Sequence, residues 1–191
     1  MEENNKRILK NTVYLYIRMF VMMALSFFST RIVLDKLGVD DYGIYNVVGG
    51  FVAMFTILNN VLQSATRRFL SVAIGKGEQK LIDNTFSTSL TMHLVVGGVV
   101  VVLLETLGAW LLNNTLNIAA DRMYAANWVL QFSIINVLLA ILQTPFQAAV
   151  TSHEKFNVYA IMSIFDVIAK IAILFLLVLL PFDKLIVYAI L

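Results

Sequence analysis

Hydrophobic residues along the chain occur in long runs that are separated by short polar segments. Three of these runs contain no charged residue, and they cover residues 44–66, 84–104 and 123–152. Two others contain one or two charges and cover residues 11–30 and 156–181. Because about 20 mostly apolar residues are enough for a helix to cross the hydrocarbon core of a bilayer, each run predicts one transmembrane helix.

The predicted fold class is all-α, a polytopic bundle of transmembrane helices with five complete spans and the start of a sixth. We expect the spans to cover residues 11–34, 42–66, 84–112, 123–150 and 157–181, with the sixth beginning at residue 185. Strands of a membrane β-barrel are about 10 residues long and alternate in polarity, so the run lengths exclude that class. Since the sixth span would be incomplete, residues 1–191 are expected to be the N-terminal piece of a longer protein. A short re-entrant tail is the alternative.

Composition supports a membrane protein. Hydrophobic residues make up 60% of the chain and charged residues 14%, whereas an average soluble domain is about 45–50% apolar and about 25% charged. A soluble fold of this size could not hide so much apolar surface, which excludes an ordinary cytosolic enzyme. Cysteine is absent, which excludes disulfides and thiolate metal sites. The net charge of +2 is too small to indicate nucleic-acid binding, so no nucleic-acid partner is expected.

The distribution of lysine and arginine predicts the orientation. Eight of these residues lie at the N-terminus and in the loops after the second and fourth predicted spans, against four on the opposite side. By the positive-inside rule, the N-terminus is therefore cytoplasmic. The first run is too long for the apolar region of a signal peptide and contains Arg18, so we interpret it as a retained helix. Between the first two spans, Gly38 followed by Asp40 and Asp41 predicts the end of one helix and the start of the next.

Arg18 is the first candidate binding residue. A charge near the bilayer centre costs about 2.5–3.5 kcal/mol on insertion scales, so it needs a compensating environment. Helical spacing places Asn11, Tyr14, Leu25 and Ser29 near the same face as Arg18. Either the guanidinium reaches the headgroups, or it faces a water-filled cavity.

A polar stripe on the second span supplies further candidates. Polar side chains recur there at three- and four-residue spacing, at Thr56, Asn59, Asn60, Gln63, Ser64 and Arg67. From this stripe Asn60, Gln63 and Arg67 are predicted to line a cavity that hydrogen-bonds a hydroxylated substrate. The alternative is polar contact between packed helices. Gly49 and Gly50 are expected to allow close helix contact in either case.

The fifth span carries the last candidates, Asp166 and Lys170, in the i, i+4 order that favours an ion pair. The spacing leaves open whether this pair is structural or linked to substrate or protons. Pro145 is expected to kink the fourth span. His93 and His153 lack a clustered carboxylate, which predicts no metal site, and hydrolase and metalloprotease motifs are absent. We therefore expect no cofactor and no enzymatic activity.

Several segments resemble the polysaccharide-transporter branch of the multidrug/oligosaccharidyl-lipid/polysaccharide exporter superfamily. Residues 31–45 (RIVLDKLGVDDYGIY) resemble the first loop of bacterial polysaccharide and O-antigen flippases. Residues 65–71 (ATRRFLS), followed by GKG, are similar to the end of their second span. Residues 144–146 (TPF) and 152–156 (SHEKF) are similar to their junction between spans four and five.

The resemblance implies a two-lobed transporter of twelve to fourteen helices in the bacterial inner membrane, of which this chain would form most of one lobe. Such a protein would move an undecaprenyl-pyrophosphate-linked oligosaccharide across the membrane by alternating access. Cationic side chains in its cavity would meet the pyrophosphate, a role that Arg18 matches by position and for which Arg67 is the second candidate. Membrane lipids and the polysaccharide polymerase machinery are the further partners it implies. A cation-coupled multidrug exporter and a membrane glycosyl- or phosphotransferase are the alternative functions.

Overall fold

The computed structural model describes the backbone of residues 2–153 and 156–190. It describes their side chains too, except at residues 2–15, 17–18, 156–157, 159–161 and 163–164. In this part of the chain there are six helices and no strand: α1 Glu2–Ala53, α2 Thr56–Lys76, α3 Gln79–Asn114, α4 Met123–Ser152, α5 Phe156–Leu179 and α6 Lys184–Ile190. The all-α prediction is confirmed.

Three stretches within the described residues are long and apolar enough to cross a membrane, which suggests a membrane protein. They are Met19–Lys76, Gln79–Asn114 and Met123–Ser152. The first stretch is 58 residues long, about three times what one crossing needs, and it is interrupted within α1. The number of five or six spans stays a prediction.

Gly38 interrupts α1, as the sequence predicts. Its φ of 80° and ψ of 171° are not helical, and a residue with a side chain would be strained at this φ. The chain resumes as a helix at residue 39 and continues through a tight turn into α2, where Met54 N–H bonds to Phe51 O at 3.3 Å and Phe55 N–H to Val52 O at 3.1 Å. The break thus separates residues 2–37 from one bent helical segment, residues 39–76.

The central helix of the bundle is α4, which packs against all five others and most extensively against α2 and α3. Its buried residues recur along its whole length, from Ala125 to Ala148. A complementary buried stripe runs along α3 at three- and four-residue spacing: His93, Gly97, Val100, Leu104, Gly108 and Leu112. Such a stripe faces one neighbouring helix, which here is α4.

Two glycines set the close approach of α3 to α4, and they are not the two that the sequence indicated. A Cβ at Gly108 would lie 2.7 Å from Leu130 Cδ1, and one at Gly97 would lie 2.9 Å from Leu138 Cδ1. Gly49 and Gly50 have nothing within 4 Å of such a Cβ, so the expectation of close contact there is wrong. Small residues permit close backbone approach where van der Waals packing holds helices together.

The turn between α5 and α6 is fixed by two adjacent charged side chains. Asp183 Oδ1 accepts hydrogen bonds from the backbone N–H groups of Leu185, at 3.0 Å, and Ile186, at 3.4 Å. The ammonium of Lys184 donates to Leu177 O at 2.9 Å and to Leu180 O. A carboxylate at a helix N-terminus and an ammonium at a helix C-terminus form hydrogen bonds with backbone groups that have no partner within the helix. Their charges also interact favourably with the helix dipole.

Candidate functional site

A cavity of about 580 Å³ lies between α1, α5 and α6. The part of α1 before Gly38 contributes residues between Met22 and Thr30, and the part after it contributes Tyr42, Tyr45 and Asn46. Lys170 on α5 and Tyr188 on α6 line the other sides. The break at Gly38 therefore lets one helix supply two walls of the cavity.

The lining of this cavity combines one cation with hydroxyl, amide and aromatic groups: Ser26, Ser29, Thr30, Tyr42, Tyr45, Asn46, Lys170 and Tyr188. Some of the donors are already used within α1, since Thr30 Oγ1 donates to Ser26 O at 2.9 Å and Asn46 Nδ2 to Tyr42 O at 2.7 Å. The rings of Tyr45 and Tyr188 lie 4.6 Å apart, centroid to centroid. Such a lining can hydrogen-bond sugar hydroxyls and attract a phosphate to the ammonium.

Of the predicted site residues, Lys170 is the one whose described side chain lines this cavity. Leu25 and Ser29, which the sequence places on the face of Arg18, line it as well. The side chains of Arg18, Asn11 and Tyr14 lie outside the described residues.

Asp166 is exposed, one helical turn before Lys170. The ion pairs among the described side chains join Lys36 to Asp35, and Arg122 to Asp41 and to Asp183. The predicted pair of Asp166 and Lys170 is not among them, so in this conformation the ammonium of Lys170 is not held by that carboxylate.

The polar stripe of α2 divides between a helix interface and the surface. Asn59 Nδ2 donates to Ala140 O at 3.2 Å and its Oδ1 accepts from Thr144 Oγ1, while Gln63 Nε2 donates to Gln147 Oε1 at 3.2 Å. Asn60 and Arg67 are exposed instead. For Asn59 and Gln63 the structure thus has the alternative arrangement, polar contact between packed helices.

This α2–α4 contact continues toward the end of both helices. Ser71 Oγ lies 3.3 Å from Ser152 Oγ, and Ser152 Oγ donates to the carbonyl of Arg67 at 3.3 Å. Asn59 meets α4 beside Pro145, which lacks the N–H that would normally bond to Ile141 O. Asn60, Gln63 and Arg67 are therefore not brought together with Lys170 in the cavity.

Arg122 is a residue that the sequence analysis did not single out, and it joins three distant segments. Its Nε donates to Asp41 Oδ1 at 2.8 Å, its Nη2 bonds to Asp41 Oδ2, and its Nη1 donates to Asp183 Oδ2 at 2.7 Å. The bidentate bond to Asp41 raises the pKa of Arg122 above its usual value, so the guanidinium stays charged at any pH the protein meets. A cavity of about 680 Å³ lies beside it, between residues 37–47 and residues 116–122.

Glu105 was also missed, although it lies inside the predicted third span. Its Oε2 accepts a hydrogen bond from Gln131 Nε2 on α4 at 3.0 Å, and both side chains are half-buried. An ionisable residue inside a membrane span is a candidate functional residue by default. The signal was available in the sequence, as a lone carboxylate between residues 84 and 112.

Comparison of the chain with family models, with curated proteins and with solved structures gives no match.

Proposed function

We propose that the protein is part of a flippase that moves a lipid-linked oligosaccharide across the bacterial inner membrane by alternating access. The observation that carries the proposal is the polar cavity between α1, α5 and α6. It supports the proposal because an oligosaccharide diphosphate needs hydroxyl and amide partners for its sugars and a cation for its phosphates, and the cavity offers both. The substrate, the membrane lipids around the bundle and the polymerase machinery are the proposed partners.

The position of Lys170 favours a membrane-embedded anion. Its long methylene chain can follow the apolar side chains of Ile173 and Leu174, which line the same cavity. Its ammonium then remains available to a phosphate, which it attracts as a point charge. Tyrosine faces such as those of Tyr45 and Tyr188 provide amphipathic surfaces that suit the apolar faces of sugar rings.

Export of surface polysaccharide by cells, normalised to the amount of the protein in the membrane, tests the proposal. Lys170→Met should reduce export at least about tenfold, since it removes a charge-assisted contact worth about 1.5–3 kcal/mol. Lys170→Arg should retain most of it. Asp166→Asn is the matched control on the same helix, because Asp166 is not part of the cavity lining, and it should export normally. Normal export by Lys170→Met would exclude this cavity as the substrate-binding site.

A cation-coupled multidrug exporter of the same superfamily is the second candidate function, and Glu105 is the observation that favours it. A carboxylate held by Gln131 inside a predicted span is the type of group that binds a coupling cation. Glu105→Gln would then abolish drug resistance in cells while leaving surface polysaccharide unchanged. The flippase proposal predicts the opposite result. Lys170→Met should reduce polysaccharide export, whereas Glu105→Gln should leave it unchanged.

A further inference from the structure

The helices α2 and α4 run in parallel and touch along a line of hydrogen bonds. Asn59 Nδ2 of α2 donates to Ala140 O of α4 at 3.2 Å. One turn later on α2, Gln63 Nε2 donates to Gln147 Oε1 at 3.2 Å, and Gln147 follows Ala140 on α4. Since the partners advance in the same direction along both helices, this line fixes which side of each helix lies next to it.

Three exposed carboxamide residues flank this line on one side. On α2, Asn60 lies about 100° around the helix axis from Asn59. On α4, Asn136 and Gln143 lie one turn before and one turn after Ala140, displaced from it in the opposite rotational sense. Opposite rotations on two parallel helices that face each other lead to the same side of the contact. We call these three residues the amide strip.

Lipid would be an unfavourable neighbour for the amide strip. Asn136 lies near the middle of α4, whose 30 residues span about 45 Å and are apolar enough to cross a membrane. The hydrogen bonds among the described side chains do not include the three amides of the strip, and an amide without a partner in an apolar medium costs free energy. The helix α3 does not cover them, because it packs on the opposite side of α4, against Leu138 and Ile141. The amide strip therefore needs water or a polar ligand beside it.

We propose that the amide strip is a second binding surface, which takes the neutral, hydroxylated sugar part of the substrate. A carboxamide has both a donor and an acceptor, so it can pair with neighbouring sugar hydroxyls, which also donate and accept. Residues 56–66 of α2 and the whole of α4 contain no charge, which favours hydroxyls over a phosphate or a cation. The inference rests on the proposed function and divides the substrate between two sites. Lys170 in the cavity between α1, α5 and α6 attracts the phosphates, and the amide strip binds the sugars.

The first measurement tests whether the amide strip is open to water. The chain has no cysteine, so Asn136→Cys and Gln143→Cys each introduce a single thiol. In phosphatidylcholine nanodiscs both should react with a membrane-impermeant thiol reagent at least about tenfold faster than Ile135→Cys, because a thiol in apolar surroundings stays protonated. Ile135 is the matched control, an exposed apolar residue next to Asn136. Equal rates would overturn the proposal, and so would oxidative cross-linking of two chains through Gln143→Cys, which would show that a second copy covers the strip.

The second measurement identifies the part of the substrate that binds, with two probes: undecaprenyl pyrophosphate, and the lipid-linked oligosaccharide extracted from bacteria that make a surface polysaccharide. Because a bound ligand covers most of the surface it contacts, the oligosaccharide should slow labelling of Asn136→Cys and Gln143→Cys at least about threefold. Undecaprenyl pyrophosphate should leave both rates unchanged. Ser29→Cys, in the cavity that contains Lys170, should be slowed by both probes.

The cavity thiol separates failure of this inference from failure of the proposed function. Slowing at Ser29→Cys without slowing at the amide strip would overturn the inference and leave the proposed function intact. Equal slowing of the strip by both probes would overturn the assignment to sugar, because the lipid pyrophosphate alone would then account for it. No slowing at any of the three thiols would overturn both proposals.

Discussion

The guanidinium of Arg122 binds the buried carboxylate of Asp41 through two parallel hydrogen bonds, although 81 residues separate the two in the chain. The same side chain reaches Asp183 before α6. One residue thus ties the start of the segment after Gly38 to the α3–α4 loop and to the α5–α6 turn. Because Asp41 and Asp183 lie next to the cavity-lining parts of α1 and α6, the cluster links two walls of the polar cavity to the α3–α4 loop.

Removing Arg122 should therefore destabilise the fold strongly. Arg122→Ala leaves the carboxylate of Asp41 buried without a partner, which should lower the free energy of unfolding by roughly 2–4 kcal/mol. Arg122→Lys should recover part of the loss, since an ammonium cannot bind both carboxylates in the planar, bidentate way. Thermal unfolding in detergent measures the effect. Asp183→Asn is the control, with a smaller loss because that pair is one-third exposed, and equal melting of all four proteins would contradict the role of Arg122.

Gly108 and Gly98 of α3 differ in the space around them, and this difference gives a second prediction. Gly108→Ala places a Cβ against Leu130 and should destabilise the bundle by about 1–3 kcal/mol, because overpacking displaces neighbouring side chains. Gly98→Ala is the matched control on the same helix, since nothing lies within 4 Å of its Cβ. Alanine's better helix propensity should make that variant neutral or more stable by up to about 1 kcal/mol. Equal unfolding temperatures for the two variants would show that α3 and α4 do not meet at Gly108.

The helices and the break at Gly38 could be predicted from the sequence because their causes are local. Apolar runs and a glycine between them act over one or two turns. The second predicted segment, residues 42–66, is nevertheless divided, because it covers the end of α1, the turn at residues 54–55 and the start of α2. The partners of Asp41 and Asn59 could not be predicted, because each lies about 80 residues away and leaves no local signal. Which polar side chains form contacts between helices depends on how the helices pack, and a single sequence does not show that packing.

The glycine contact had a signal that was available in the sequence. Gly97 and Gly108 are eleven residues apart, about three helical turns, so they share one face of α3. The adjacent Gly49 and Gly50 point to different sides of their helix. A pair on one face is the arrangement that allows two helices to approach over several turns.

The division of the α2 stripe predicts which positions meet water. Asn60 and Arg67 are exposed, and their seven-residue spacing places them on one face of α2. Cysteines at these two positions should therefore react with a membrane-impermeant thiol reagent. Asn59→Cys, directly beside Asn60 in sequence but bonded to α4, should react at least about tenfold more slowly. Val61 is an exposed apolar residue of the same helix, so Val61→Cys is the control that we expect to face lipid. If Asn60→Cys and Arg67→Cys react no faster than Val61→Cys, that face of α2 lies against lipid.

The last prediction concerns Arg18, whose sequence position continues the face on which Leu25 and Ser29 line the cavity. A guanidinium suits a pyrophosphate better than an ammonium does, because its planar fork donates two hydrogen bonds at once. If Arg18 contacts the substrate, Arg18→Ala should abolish polysaccharide export while the protein stays in the membrane, and Arg18→Lys should restore it only in part. If Arg18 reaches the headgroups instead, lysine should serve fully and alanine should be tolerated, since it removes a costly charge from the span. Export normalised to membrane protein distinguishes the two, and wild-type export by Arg18→Ala would exclude the substrate contact while leaving the test of Lys170 unaffected.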